Sequence, residues 1–401
     1  MNNLIQNIVY QHNNPELQKY RLNCLQQFEQ QGIPTAKTEE WKYTRLRDML
    51  ANDYTLAPKS NEANQHFVPF DCYTIDIKNG YIASDLPSIS GLEISGIENA
   101  LEYVGHNAQS AKHPFVAING YYLDNGLFIR VHEKISKPLL INYHTTPENN
   151  NYFYNIRNVI VCEPNAHLEI IENHTYDGDV KSRYLANIVN EFFIKTNAVL
   201  KHYKYQNEAF KATHLAFNSI SLEAKAQYNS FCLQKGANIA RNETEVRLNG
   251  AEAIAEVNSA YRMNGWATID TTTNIYHNSA DTKSSQLIKG VVGGEAKGVF
   301  QGKIHIAPNA ICSEGNQLHK AILLSDKAEV DVKPELEIFA DDVKCSHGAA
   351  SGELDKEQLF YMQARGIGED EAKQILIDAY INDVISLIGN EKVQDWFKNL
   401  V

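Results

Sequence analysis

Residues 321–367 read AILLSDKAEVDVKPELEIFADDVKCSHGAASGELDKEQLFYMQARGI. This stretch contains both kinds of sequence found in the chain, strand-like and helix-like. Its first part alternates short apolar segments with Ser, Asp, Lys and Pro, which predicts short strands at 321–323, 330–332 and 336–338. After Gly352, Asp355 and Gln358 form a capping-box-like pair, and Gly366 ends the predicted helix. The chain is therefore expected to pass from strands to helices here.

The strand-rich character extends back to about residue 73, where short apolar segments are separated by Gly, Asn, Asp and Pro. Strands of three to five residues are expected, for example within 127–131, 159–161, 168–170 and 299–306. Such short strands suit a coil that turns a corner every few residues and stacks its turns in parallel. The pattern favours a parallel β-helix, but because no fixed-period repeat is visible, a β-sandwich or barrel stays open as an alternative.

Helical sequence flanks this region on both sides. Asn14 and Pro15 predict a helix start, Gly32 predicts its end, and Thr38 is expected to cap a second helix that continues to Met49. A polar connector at 57–65 follows. Beyond the segment quoted first, an acidic helix start near Glu369 and a short apolar final helix are expected. The predicted regions are N-terminal helical (1–72), β-helix core (73–343) and C-terminal helical (344–401).

The composition narrows the classes of function. A formal net charge of -12 disfavours a nucleic-acid binder, which needs clustered Lys and Arg. The sequence has neither a secretory signal nor 18 consecutive apolar residues, so no membrane partner is expected. The six cysteines are scattered and form no CxxC pair, which is typical of reduced cytoplasmic thiols. A cytoplasmic protein is expected.

Cys345 and His347 are the candidate metal ligands. In an extended strand they share one face, about 7 Å apart. Thiolate and neutral imidazole are competent ligands of iron or zinc, whereas an iron-sulfur cluster usually needs four protein ligands. A second chain would therefore have to supply the rest, which implies an interfacial, transferable cluster. The competing interpretation is a buried thiol beside a hydrogen-bonded imidazole.

Other motifs carry weaker signals. The glycine-rich stretch 289–302 lacks both GK[ST] and GxGxxG, so we interpret it as turns between β-helix coils. His132 and Glu133 lack the second histidine of a HExxH site. Glycan-cleaving enzymes also use parallel β-helices, which makes acid pairs worth considering, and the absence of a secretion signal argues against that function. The candidate acids are Asp270, Asp281, Asp341 and Asp342.

Several segments resemble the SufB/SufD family of the SUF iron-sulfur cluster assembly machinery. The similarity is dense from 266 to 367 and includes DTTTNIYHNSADTKSSQLIKGVV (270–292), GVFQGKIHIAPNA (298–310), ILLSDKAEVDVKPELEI (322–338) and the CSHG motif. Near the N-terminus, GIPTAKTEEWKYTRL (32–46) resembles the helical entry segment of the family, and FVAINGYYLDNGLFIRV (115–131) resembles its first strands. Within it, the chain is closer to the SufD branch, because the SufB counterpart reads Glu-His-Glu-Ala where this chain has 346–349 as Ser-His-Gly-Ala.

The resemblance implies a right-handed parallel β-helix flanked by N- and C-terminal α-helical regions. It implies a non-enzymatic scaffold that pairs with a SufB-type paralogue and a SufC-type ATPase, the ATPase being held by Leu359, Phe360, Tyr361 and the helix beyond. His347 is expected at the interface with the paralogue, with Cys345 nearby. The cofactor would be a transient iron-sulfur cluster shared with that partner, with none tightly bound in the isolated chain.

Three alternatives stay open at this point. The chain could be a purely structural partner that stabilises the paralogue and the ATPase, or it could be the SufB-type paralogue itself. In isolation it could form a homodimer.

Overall fold

The computed structural model describes residues 14–59, 68–146, 150–177 and 182–401, so most of the predicted connector at 57–65 lies outside the described residues. In chain order the elements are α1 (Pro15–Gln31), a 3-10 turn (Glu39–Trp41), α2 (Arg47–Leu50), β1 (Thr55–Leu56), β2 (Tyr73–Lys78), β3 (Tyr81–Ile82), β4 (Leu92–Gly96), a second 3-10 turn (Ile97–Ala100), α3 (Pro114–Tyr121), β5 (Leu127–Val131), β6 (Leu139–Thr145), β7 (Tyr152–Cys162), β8 (His167–Tyr176), β9 (Tyr184–Ile194), β10 (Val199–Gln206), β11 (Thr213–Leu222), β12 (Gln227–Gln234), β13 (Ile239–Leu248), β14 (Ile254–Met263), β15 (Thr268–His277), β16 (Lys283–Val292), β17 (Lys297–Ile306), β18 (Glu314–Leu323), β19 (Glu329–Ile338), β20 (Lys344–Gly352), α4 (Lys356–Ala364), α5 (Glu369–Ile385) and α6 (Glu391–Lys398).

The strands form a β-solenoid of about seven turns, which confirms the parallel β-helix. Sheet 1 follows the order β19-β17-β15-β13-β11-β9-β7-β5-β4, and sheet 2 follows β20-β18-β16-β14-β12-β10-β8-β6-β2-β3. Neighbours in each sheet are parallel, except at the N-terminal end, where β3 pairs antiparallel with β2 and β4 pairs antiparallel with β5. Each turn of the solenoid contributes one strand to each sheet, so the register repeats from turn to turn.

The solenoid strands are longer than the sequence predicts. From β7 to β20 they span 8 to 11 residues, and the prediction of three to five residues is wrong. The reason is that polar residues interrupt the apolar runs without ending the strand. In β13, for example, Asn242 and Thr244 are buried although they lie between charged neighbours.

One kind of corner repeats through the solenoid. Where a sheet 1 strand leads into a sheet 2 strand, a residue with positive φ precedes a small buried residue, as in Asn197 before Ala198 and Lys225 before Ala226. The N–H of Asn197 donates to Ala224 O in the next corner. The corners therefore stack by backbone hydrogen bonds, and the side chain that faces the interior must be small.

The glycine-rich stretch 289–302 serves two purposes. Gly293 and Gly294 lie in the corner between β16 and β17, as the turn interpretation predicts. Gly290 and Gly298 instead lie within strands, where an added Cβ would fall 2.0 Å and 2.8 Å from atoms of Tyr261. These two glycines let the buried tyrosine ring lie against the backbone.

The flanking helices follow the predicted signals in most places. The Asn14 side chain caps α1, and Gly32 ends it with a φ of 68°. The second predicted helix divides into a 3-10 turn and α2, because the Thr38 hydroxyl accepts from Thr35 N–H and does not cap the chain that follows. No helix in the described ranges is long and apolar enough to cross a membrane.

The C-terminal helices α5 and α6 cover the outer face of sheet 2. Ile381 and Phe397 are fully buried and form a cluster with Phe231 of β12. Lys235 and Arg262 both donate to the backbone oxygen of Val401, which fastens the chain end to the solenoid. This part of the C-terminal region therefore packs in cis.

Candidate functional site

Cys345 and His347 lie in β20, the last strand of sheet 2. They are two residues apart and pair in register with Gly315 and Gln317 of β18, both of which face the solenoid interior. Cys345 is half-buried against the main apolar core, whereas His347 is exposed. The expected shared face is therefore present, and it is the inward face of the final turn.

The solenoid has no cover at this end within the described ranges. β19 pairs only with β17 and β20 only with β18, so one edge of each strand has no strand neighbour there. Val330, Val332 and Leu336 of β19 pack against the core but are only half-buried. An uncovered core end beside two free strand edges is a surface on which another chain can pair.

The chemistry of Cys345 and His347 is that of an incomplete ligand set. Burial raises the pKa of the Cys345 thiol, partly offset by a hydrogen bond from the Gly315 backbone, so the thiol is protonated at neutral pH. A metal would have to displace that proton before the sulfur could bind. No three His, Cys, Asp or Glu residues in the described chain are grouped so as to hold a metal ion. Two donors alone leave an iron-sulfur cluster half coordinated.

His347 also lines a shallow groove of about 420 Å³. The groove runs along the outer face of sheet 2 near its end, where Asn316 and Ser346 line it, and Leu387, two residues beyond the end of α5, forms part of its wall. Within the described ranges, no residue forms a hydrogen bond with the imidazole of His347. The ring is therefore available to a ligand or a partner.

The predicted partner-binding residues lie on α4. Asp355 caps this helix by accepting from the N–H groups of Glu357 and Gln358, as the capping pair predicts. No residue of α4 is buried; Phe360 is 72% exposed, Tyr361 is 59% exposed and Leu359 is half-buried. The helix therefore presents large exposed aromatic side chains on its surface.

Three of the four acids considered for glycan cleavage have structural roles. Asp270 is buried and bonded to Arg241, Thr44 and Thr272 beneath the N-terminal 3-10 turn. Asp281 and Asp342 are corner residues with positive φ. Their surroundings give no arrangement of a general acid facing a base.

Sequence interpretation missed a buried polar cluster inside the solenoid. Glu172 accepts hydrogen bonds from His174 at 2.8 Å and from His202 at 2.7 Å. His214 lies between Lys204, at 2.9 Å, and the buried carboxylate of Glu208. Burial lowers the pKa of His174 to about 4. Burial alone would raise the pKa of Glu172, but its histidine partners outweigh that effect and hold it well below the usual range. Glu172 and Lys204 pair in register one solenoid turn apart, whereas His214 comes from the opposite sheet, so no short-range pattern in the sequence connects the cluster.

A second cleft, of about 620 Å³, separates the N-terminal segment from the outer face of sheet 1. Arg241 lies 4.3 Å from the ring centre of Trp41 and forms an ion pair with Glu243. His113 lies between Glu243 and Glu245. The charged groups on its floor are thus largely paired with one another, and they hold the N-terminal segment on the solenoid.

Comparison with known proteins agrees with this architecture. Residues 144–380 match the family model "SUF system FeS cluster assembly, SufBD core domain", and residues 3–83 match "SufBD protein N-terminal region". The chain is 30% identical to iron-sulfur cluster assembly protein SufD of Escherichia coli, covering 92% of this chain and 88% of that protein. It is 26% identical to a SufBD family protein of Synechocystis, with coverage of 92% and 87%, and 27% identical to chloroplastic protein ABCI7 of Arabidopsis thaliana, with coverage of 92% and 82%. The chain belongs to the SufBD family of iron-sulfur cluster assembly proteins.

Proposed function

We propose that the chain is a non-catalytic scaffold subunit of the SUF machinery. It pairs with a SufB-type paralogue through the uncovered end of the solenoid and binds a SufC-type ATPase through α4 and the adjoining helix. His347 and Cys345 help to hold a nascent iron-sulfur cluster at the paired interface. The cluster is cargo, assembled and passed on, and the isolated chain keeps no tightly bound cofactor.

The uncovered end of the solenoid is the observation that carries this proposal. A half-buried apolar row on β19 lies beside two unpaired strand edges, and a solenoid needs a cover at such a position. A paralogue with the same solenoid cross-section fits this surface. When it is absent, two copies of this chain are expected to meet through the same end.

Ligand number supports a shared cluster. Cys345 and His347 are adjacent inward-facing positions of β20, and they supply only two donors. A partner strand laid along β20 would bring its own side chains to the same point. The histidine is the stronger candidate ligand, because it is exposed and needs no loss of a thiol proton.

The exposed side chains of α4 support the ATPase contact. Phe360 and Tyr361 have no apolar cover from the rest of the described chain, whereas α5 and α6 are committed to sheet 2. The proposal includes a cytoplasmic location, without nucleic-acid or membrane partners.

Replacing His347 with Ala in the co-expressed complex tests the ligand role. Assembly and ATPase binding are expected to persist, while iron and acid-labile sulfide per complex, measured anaerobically, fall several-fold. Ser346→Ala is the matched control, because Ser346 is the next residue of β20 and faces outward, where its hydroxyl donates to Asn316.

Unchanged cluster accumulation in His347→Ala would contradict the ligand role and favour the purely structural role, in which the chain only stabilises its partners. Loss of assembly in this variant would place the histidine in the contact surface itself.

A further inference from the structure

The backbone ladder of sheet 2 is interrupted between β14 and β16. These two strands pair in register at both ends, but Val257 and Asn258 of β14 are left out of the ladder. At this point the Leu287 N–H donates to the side-chain Oδ1 of Asn258, at 3.0 Å. Every other pair of neighbouring strands within β7–β20 keeps a continuous ladder in the described chain. A side chain therefore replaces a backbone acceptor between β14 and β16.

Open space lies on both sides of this interruption. Inside the solenoid, Val257, Asn258 and Ile288 line a cavity of about 20 Å³, which is room for one water molecule. On the outside, the groove beside His347 extends to Asn258 and Leu287. Fewer packed atoms hold the two strands together here than in a filled sheet, because each empty space removes dispersion contacts.

Helix α5 crosses the interruption and is tied to both strands. On the β14 side, Arg262 donates to Gln374 Oε1 at 2.7 Å. On the β16 side, Lys289 donates to the backbone oxygen of Tyr380 at 3.1 Å and to Asp383 at 2.6 Å. The Lys289 side chain is buried beneath the helix, and its Nζ lies 4.4 Å from the ring centre of Tyr380. The helix thus spans the weakest place in the sheet.

We propose that the boundary between β14 and β16 is a seam at which sheet 2 opens, and that α5 is the strap that keeps it closed. Sheet 1 is continuous at the same level, because β15 pairs with β13 and with β17 over its whole length. The strands from β16 to β20 therefore turn about sheet 1 as one unit when the seam opens.

Opening the seam has two consequences. It joins the outer groove to the interior cavity, which also borders Lys204 and His202 of the buried polar cluster. It also moves β20, with Cys345 and His347, relative to the first turns of the solenoid. The inference rests on the proposed ligand role only for its purpose, since the seam is a property of the strand ladder.

Residue-resolved hydrogen exchange in the full-length isolated chain, diluted until monomeric, tests the seam. The Leu287 amide is compared with the Leu318 amide, its register neighbour in β18. Both are leucines preceded by glutamine, so their chemical exchange rates match and only protection differs. Leu287 should exchange about tenfold faster, because opening at the seam breaks fewer backbone hydrogen bonds. Fraying from the open end predicts the reverse order, because Leu318 lies nearer to that end.

Two lysine variants test the strap. Lys289→Met removes the tie between β16 and α5 and should accelerate exchange at Leu287 by about a further tenfold. Lys320→Met is the matched control, because Lys320 is the register neighbour of Lys289 in β18 and is exposed. It should leave exchange at Leu287 unchanged. If Lys289→Met does not fold, Asp383→Ala weakens the same tie from an exposed position and should accelerate exchange about threefold.

Exchange at Leu287 that is equal to or slower than exchange at Leu318 would overturn the seam. The strap would be overturned by unchanged exchange in both Lys289→Met and Asp383→Ala, or by an equal acceleration in Lys320→Met. None of these results bears on cluster accumulation in the complex. Conversely, failure of the cluster experiment with His347→Ala would leave the exchange pattern intact, so the two proposals can fail separately.

Discussion

The two ends of the solenoid are built differently. At the N-terminal end, the short antiparallel strands β3 and β4 finish the two sheets, and Ile89 and Leu92 are each only 8% exposed within the main core. At the C-terminal end, β19 and β20 have unpaired edges, and Ile338 is 42% exposed. The first end contributes to the stability of the chain itself. The second leaves apolar surface exposed within the described ranges, where the proposed partner would bury it.

Substituting a leucine with aspartate at each end should give the largest contrast. Leu92→Asp buries an unpaired charge and should lower the free energy of unfolding by about 4 kcal/mol. Leu336→Asp alters a half-buried residue of the open end and should cost about 1 kcal/mol, yet abolish pairing with the paralogue. Urea unfolding and co-purification measure the two effects. Similar destabilisation by both variants would contradict the distinction between the ends.

The same contrast applies to the C-terminal helices. Phe397 of α6 is fully buried against sheet 2, so Phe397→Ala should lower the free energy of unfolding by about 3–5 kcal/mol. Phe360 of α4 is exposed, so Phe360→Ala should change the free energy of unfolding by less than about 0.5 kcal/mol. The same variant should weaken ATPase binding. Unfolding curves and pull-down of the ATPase distinguish the two. Undiminished ATPase binding by Phe360→Ala would exclude α4 from the contact.

Acid should destabilise the buried middle of the solenoid. Burial lowers the pKa of His174 from an ordinary value of 6.5 to about 4, so the unfolded chain binds a proton in this window and the folded chain does not. The stability contributed by the neutral histidine is therefore lost as pH falls from 6.5 to 4, by about 3 kcal/mol. Burial lowers the pKa of His277 and His319 similarly.

Unfolding measured between pH 4 and 8 should show this slope, and His174→Asn should reduce it by the contribution of His174, about 3 kcal/mol over the range. A pH-independent free energy of unfolding would contradict the buried neutral state of these histidines.

Local signals in the sequence located α1 and α4 well, whereas α3 lies in a stretch that was expected to form strands, and that expectation is wrong. Asn14 and Gly32 define α1, and Asp355 caps α4, because caps are decided by residues within a few positions. The lengths of the solenoid strands could not be predicted in the same way. Asn242 and Thr244 are polar yet buried, and only the stacking of neighbouring turns supplies them with an interior position.

The candidate site was predictable in part for the same reason. The spacing of Cys345 and His347 predicts a shared face in any strand, and the structure has that face. The sequence could not show that this face lies at an uncovered end, because that depends on the order of the strands in the whole sheet. Locally, Val330, Val332 and Leu336 alternate like the residues of any strand.

Backbone hydrogen exchange tests the central claim, that the open end is the pairing surface. Exchange is compared between the isolated chain, diluted until monomeric, and its complex with the paralogue. Amides of residues 329–338 and 344–352 should become strongly protected in the complex, while those of residues 73–82 at the closed end should be unchanged. Protection that appears elsewhere and leaves β19 and β20 unaltered would contradict the account.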